Sequence, residues 1–100
     1  MEIDLTNIDN FTLESVTQLI ASKDDSEHHQ IRVTENGILF LSDDVGNINL
    51  DGIRFVLETW DAGNGYVGWS AALDEVWVER IYQAIKQAWE KGDRGYIDWH

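Results

Sequence analysis

Carboxylates are the side chains of this sequence with the greatest capacity for chemistry. Asp and Glu number 19 and Lys and Arg only 7 among 100 residues, so the formal net charge is −12. The adjacent pairs Asp24-Asp25 and Asp43-Asp44 have the residue types of a general acid and a general base. In so acidic a chain such pairs also arise by chance, and a solvated surface is the better explanation. We therefore expect a protein that is not an enzyme.

A group of oxygen ligands follows the spacing of a metal-binding loop: Asn47, Asn49, Asp51 and Glu58. With Gly52 at the sixth position, the stretch resembles the EF-hand calcium loop. It departs from that pattern because the first ligand is Asn instead of Asp and because Arg54 stands at a position that is usually apolar. The stretch is a weak candidate metal site, and the alternative is an ordinary turn. We expect no cofactor.

Three glycines at Gly63, Gly65 and Gly68 match the dinucleotide-binding pattern G-x-G-x-x-G. The loop offers no Lys or Arg to a phosphate, and a net charge of −12 repels a polyphosphate. A tight turn is therefore the preferred interpretation. The aromatic residues around this turn, Trp60, Tyr66 and Trp69, are of the types that are enriched at protein-binding hot spots, or alternatively they cap the core.

Cysteine is absent, which excludes disulfides, thiolate metal sites and cysteine nucleophiles. His28 and His29 are adjacent, so on a strand they would point to opposite faces and could not easily share a metal. No apolar run approaches the roughly 20 residues that cross a bilayer, and the N-terminal stretch is acidic where a signal peptide is basic. We expect a cytoplasmic protein.

The strongest structural signal is an amphipathic helix over residues 74–91. Asp74 is its expected N-cap, and Gly92 follows its end. The outward side is nearly balanced in charge, so the helix is expected to be a scaffold more than a contact surface. The residues that share its apolar side are Trp77, Val78, Ile81, Tyr82, Ala84, Ile85, Ala88 and Trp89.

Shorter signals fill the rest of the N-terminal half. Apolar alternation from Met1 suits a short strand or an arm laid on the core, and Thr12 is the expected N-cap of a helix to Ser22. Two strands, 30–34 and 38–42, flank Asn36-Gly37, the sequence of a two-residue type I′ hairpin turn.

The hairpin fixes a register. A two-residue turn places Val33 opposite Phe40 and Arg32 opposite Leu41. The run from Ile38 to Leu41 is apolar at consecutive positions, which is typical of a strand inside a sheet with both faces covered.

Residues 51–61 fit two patterns. Leu50, Ile53, Val56, Leu57 and Trp60 have helical spacing, whereas Ile53, Phe55 and Leu57 alternate as in a strand; we predict a helix. Tyr96, Ile97 and Trp99 indicate a last short strand. The fold class expected for a single domain over residues 1–100 is α+β, with a small antiparallel sheet built on the hairpin and packed against two or three helices.

The charge predicts a basic partner. An acidic compact domain repels nucleic acid and attracts the basic groove of a nucleic-acid-handling enzyme. In size and charge the chain resembles the small inhibitors of phages, such as anti-CRISPR proteins, and the immunity proteins of nuclease toxins. The stretch from Asn7 to Thr12 is similar to the first-helix entry of the colicin DNase immunity family. The residues expected to contact the partner are Asp24, Asp25, Glu27, Asp43, Asp44, Asp61, Tyr66 and Trp69.

Two other classes of function remain open from the sequence. One is a calcium- or small-ligand-binding accessory module that uses the 47–58 loop. The other is an oligomerising structural domain whose Trp and Tyr faces mediate self-association.

Overall fold

A computed structural model describes residues 1–22, 29–43, 50–57 and 75–97. The elements, in chain order, are β1 (Glu2–Asp4), a 3₁₀ turn (Ile8–Asn10), α1 (Leu13–Ala21), β2 (His29–Thr34), β3 (Ile38–Asp43), β4 (Ile53–Leu57), α2 (Glu75–Lys91) and β5 (Gly95–Ile97). This is an α+β arrangement, as the sequence predicts. Neither helix has the length and apolar content that crossing a membrane requires.

The two predicted helices are confirmed, together with most of their end signals. Thr12 caps α1: its Oγ1 accepts from the Ser15 backbone N–H at 3.1 Å, and its own N–H donates to Ser15 Oγ at 2.9 Å. At the end of α2, Gly92 has a φ of +78°, and the next residue, Asp93, donates its N–H to the Ala88 carbonyl at 3.1 Å. This 6→1 hydrogen bond is typical of the Schellman motif that ends a helix at a glycine. The predicted N-cap Asp74 lies outside the described residues.

The sheet has five strands in the order β1-β3-β2-β4-β5. Three pairings are antiparallel, whereas β5 runs parallel to β4. The sheet is therefore mixed, and the expectation of an antiparallel sheet is wrong for its last strand. The physical reason is that α2 lies between β4 and β5 in the chain, and a helical crossover is the usual connection between parallel strands. The predicted first, hairpin and last strands are confirmed.

The predicted hairpin register is wrong by one residue. Val33 pairs with Leu39 and Arg32 with Phe40. The loop has three residues, because the Gly37 N–H closes a turn on the Thr34 carbonyl at 2.9 Å and Gly37 alone takes a positive φ, +91°. A type I′ turn would need a positive φ at Asn36 as well, whereas a turn that ends on a left-handed glycine adds one residue to the loop.

The prediction of a helix over residues 51–61 is wrong for the described part, since Ile53–Leu57 is the strand β4. Phe55 pairs with Val33 on one side and with Gly95 on the other, so β4 is an interior strand. Phe55, Val56 and Leu57 are all buried, so both faces of β4 are covered. A strand buried on both faces has consecutive apolar residues, and these matched helical spacing by coincidence.

One face of the sheet forms the core with both helices. Its side chains alternate along the strands and meet the apolar sides of α1 and α2, as predicted for the latter. The described core residues are Ile3, Leu5, Phe11, Val16, Leu19, Ile20, Ile31, Val33, Leu39, Leu41, Phe55, Leu57, Val78, Ile81, Ile85 and Ala88. On the other face of β3, Ile38 and Phe40 are half-buried. The predicted interior position of β3, between β1 and β2, is confirmed.

The hairpin glycine offers a test of this packing. A Cβ on Gly37 would lie 3.0 Å from Trp89 Cη2 and 3.1 Å from Thr6 Cγ2, whereas one on Gly52 would meet nothing within 4 Å. Both glycines have positive φ, which costs a non-glycine residue about 1–2 kcal/mol. We expect Gly52→Ala to lower the free energy of unfolding by about 1 kcal/mol and Gly37→Ala by about 2–3 kcal/mol.

Urea unfolding followed by tryptophan fluorescence measures both glycine variants. Equal losses for the two would show that Trp89 does not cover the hairpin.

Candidate interaction surface

Most of the residues predicted to contact a partner lie outside the described part of the chain. These are Asp24, Asp25, Glu27, Asp44, Asp61, Tyr66 and Trp69. Asp43 is the last residue of β3, where it pairs with His29, and the side chains of both are outside the description as well. Their role in binding stays a prediction, and the candidate surface is built from the described residues alone.

Most residues of the weak candidate metal site also lie outside the described part of the chain. Asn47, Asn49 and Glu58 lie outside the described residues, and Asp51 is exposed in a turn that Gly52 completes with a φ of +75°. That turn leads directly into strand β4, which occupies positions that the resemblance assigns to the twelve-residue calcium loop. Within the described residues, no three His, Asp or Glu side chains are close enough together to hold a metal ion.

The first 22 residues combine exposed carboxylates with a lack of basic residues. This segment contains Glu2, Asp4, Asp9 and Glu14 and no Lys or Arg, and all four carboxylates are exposed. None of them forms an ion pair with a described Lys or Arg. We call these four residues the acidic segment. It presents negative charge on β1, on the 3₁₀ turn and on the first turn of α1.

One carboxylate of the acidic segment is fixed by its neighbour. Asp4 Oδ1 accepts from Thr6 Oγ1 at 2.6 Å and from the Thr6 backbone N–H at 2.9 Å. The hydroxyl bond first, and the backbone bond second, lower the pKa of Asp4 below its ordinary value. Because a lowered pKa keeps the carboxylate ionised, Asp4 retains its charge as the pH falls into the mildly acidic range.

The arginines, by contrast, are engaged within the fold. Arg54 lies beside the end of α2. Its Nη2 donates to the Trp89 carbonyl at 2.6 Å and to the Ala88 carbonyl at 3.4 Å, and its Nε donates to the Asp93 carbonyl at 3.4 Å. Its guanidinium also stacks 4.2 Å from the centre of the Trp89 ring. A cation at the C-terminus of a helix opposes the negative end of the helix dipole. Arg54 therefore joins β4 to α2 and is not available to a partner.

Two further arginines have partners on the surface. Arg94 Nη1 forms an ion pair with Glu35 Oε1 at 3.2 Å, and both side chains are largely exposed. Arg80 lies over the Trp77 ring, 4.9 Å from its centre. Such contacts contribute little to stability, about 0–1 kcal/mol each. Each of them nevertheless gives an arginine a partner within the protein.

Arg32 occupies the central strand on the sheet face that points away from the helices. It is half-buried between Phe40 of β3 and Val56 of β4. Its Nε is buried and forms no hydrogen bond with any described residue, and the same is true of Ser42 Oγ on that face. A buried N–H without a hydrogen bond costs free energy, so the Nε of Arg32 adds no stabilising bond among the described residues.

A groove lies between the first turns of the two helices. Leu13, Glu14 and Thr17 of α1 line one side, Glu75 and Val78 of α2 line the other, and the cavity volume is about 460 Å³. Leu13 packs against the core and Val78 is buried, so the floor is apolar, whereas the carboxylates of Glu14 and Glu75 are exposed. The groove therefore adds one carboxylate of α2 to the acidic segment.

The relative position of the two helices at this end is set by ring stacking. The rings of Phe11, just before α1, and Tyr82 of α2 stack with their centres 4.8 Å apart and their planes inclined by 23°. Glu14 and Glu75 lie in the first turns of α1 and α2. Their common groove depends on this long-range contact, for which the sequence contains no local signal.

The chain matches no protein-family model, and no curated protein or solved structure shows significant similarity to it. The similarity of residues Asn7 to Thr12 to immunity proteins therefore stays a prediction. Its residues form the 3₁₀ turn and the cap of α1 beside a five-stranded sheet, whereas immunity proteins of that family are all-helical. The function must be argued from the charges and the groove.

The two half-buried arginines, Arg32 and Arg54, provide a matched test of the electrostatics. We expect Arg54→Met to lower the free energy of unfolding by about 2 kcal/mol, because it removes charge-assisted bonds to three carbonyls of the α2 terminus. Arg32→Met should change it by less than about 0.5 kcal/mol or raise it, because its Nε has no bond to lose among the described residues. Both are measured by urea unfolding.

A loss of more than about 2 kcal/mol in Arg32→Met would contradict the account of that residue, since it would show an anionic partner for the guanidinium.

Proposed function

We propose that this protein is a small inhibitor whose acidic surface occupies a basic, nucleic-acid-binding surface of a target enzyme, as phage anti-CRISPR proteins and toxin-immunity proteins do. The observation that carries the proposal is the unequal use of charge. The four carboxylates of the acidic segment are exposed without ion pairs among the described residues, whereas Arg54 is bonded to the end of α2 and Arg80 and Arg94 have partners on the surface.

Carboxylates held on a rigid scaffold can replace phosphates. The Lys and Arg side chains of a nucleic-acid groove attract any fixed array of negative charge, and carboxylates that pair with them occupy the sites that phosphates would use. Glu2 and Asp4 are held on a paired strand, and Glu14 is held in a capped helix. Their positions are therefore set before binding, which reduces the entropy lost in the complex.

The acidic residues predicted from the sequence extend the same surface in this proposal. Asp24, Asp25, Glu27, Asp43, Asp44 and Asp61 would add to the negative field that steers a basic partner toward the protein. The absence of cysteine suits a reducing compartment, and we place the inhibitor in the cytoplasm.

The experiment is a capture of the partner from a lysate of the native host with immobilised protein. We expect one captured protein that itself binds nucleic acid and that is released by an excess of duplex DNA or RNA. The variant Glu2→Gln/Asp9→Asn should lose most of this capture. The control Glu79→Gln/Glu90→Gln removes the same charge from the outward side of α2 and should retain it.

Three results would contradict the proposal: no captured protein, a captured protein that nucleic acid does not displace, or equal loss of capture in the two variants. The last would show that net charge alone decides the association.

A further inference from the structure

The groove between α1 and α2 combines two features that attract the same kind of side chain. Its floor consists of Leu13 and Val78, and its two carboxylates, Glu14 and Glu75, come from different helices. An apolar surface next to negative charge fits a long basic side chain, whose methylene groups cover the floor while the charged end reaches the carboxylates.

The carboxylates of Glu14 and Glu75 form almost no hydrogen bonds or ion pairs with the described residues. Glu14 Oε1 accepts from Gln18 Nε2 at 3.5 Å, which is the limit of a hydrogen bond, and Glu75 has no hydrogen bond or ion pair with a described residue. Thr17 Oγ1 donates to the Leu13 carbonyl at 2.9 Å, so its hydroxyl proton is already used and its lone pairs remain to accept. The described polar side chains that line the groove, Glu14, Thr17 and Glu75, can therefore all accept hydrogen bonds.

We infer that this groove receives one arginine side chain of the partner protein. A guanidinium presents five N–H donors in a plane, so it can bond to two carboxylates on different sides at once. The ammonium group of lysine is a compact charge with three donors and lacks the fixed planar arrangement of a guanidinium. The inference rests on the proposed function, because it assumes that the partner presents basic residues, and it assigns one of those residues to a stated place.

The probe for this inference is the peptide acetyl-Gly-Arg-Gly-amide, with analogues that carry lysine or norleucine in place of arginine. We titrate each into the ¹⁵N-labelled protein at low salt and follow the amide shifts. The arginine peptide should shift the amides of Leu13 to Thr17 and of Glu75 to Val78 and saturate in the millimolar range. The lysine peptide should bind several-fold more weakly. The norleucine peptide should give no saturable shift at the groove.

The matched variants separate the groove from general charge attraction. Glu14→Gln/Glu75→Gln should weaken the arginine peptide about tenfold or more, whereas Glu79→Gln/Glu90→Gln, with the same net charge, should leave its affinity within about twofold. The pattern of amide shifts of each free variant shows whether it is folded. If neutral Gln disturbs the first turns, Glu14→Asp and Glu75→Asp keep the charge and should retain most of the binding.

Four outcomes overturn the inference: shifts spread over the whole acidic segment, equal weakening in both variants, binding of the lysine peptide as tight as that of the arginine peptide, or binding of the norleucine peptide at the groove. The proposed function fails separately. Suppose that Glu14→Gln/Glu75→Gln captures a host protein as well as the wild type does, whereas Glu2→Gln/Asp9→Asn does not. This result would support the proposed inhibitor function and contradict the arginine site in the groove.

Discussion

The burial of one face of a five-stranded sheet against two helices is the constraint on which the rest of the structure depends. Phe55 of β4 and Ile81 and Ile85 of α2 are fully buried at its centre. Complete burial of each such side chain stabilises the fold by about 1.5–3 kcal/mol. Because β4 and α2 are held together here, the C-terminus of α2 comes within hydrogen-bonding distance of Arg54 and its N-terminus lies beside that of α1.

The distribution of charge follows from this packing. One arginine, Arg54, bonds β4 to the end of α2. Another, Arg32, is half-buried on the central strand β2. The carboxylates of the acidic segment have no such structural role among the described residues, apart from local bonds between Asp4 and Thr6 and between Glu14 and Gln18. The fold therefore places two arginines partly below the surface and leaves the carboxylates of the acidic segment exposed.

The sequence predicts the elements whose pattern is local. Periodicity and capping residues were sufficient for both helices, and the Asn-Gly pair for the position of the hairpin. The sequence does not predict features that depend on residues far away in the chain. The strand β4 is buried on both faces, so its apolar run lacks the alternation of a half-buried strand, and the hairpin register depends on a single left-handed glycine, Gly37. The groove could not be predicted, because the two first turns, which begin 62 residues apart at Leu13 and Glu75, meet only through tertiary packing.

The central claim is that exposed carboxylates bind a basic surface, and the rate of association tests it most directly. Stopped-flow mixing of the protein with its captured partner, followed by tryptophan fluorescence, gives this rate at salt concentrations from about 50 to about 500 mM, over which the screening length falls severalfold. The account predicts an association rate that falls by at least about tenfold over this range, with a much smaller change in the dissociation rate. An association rate that does not depend on salt would contradict it.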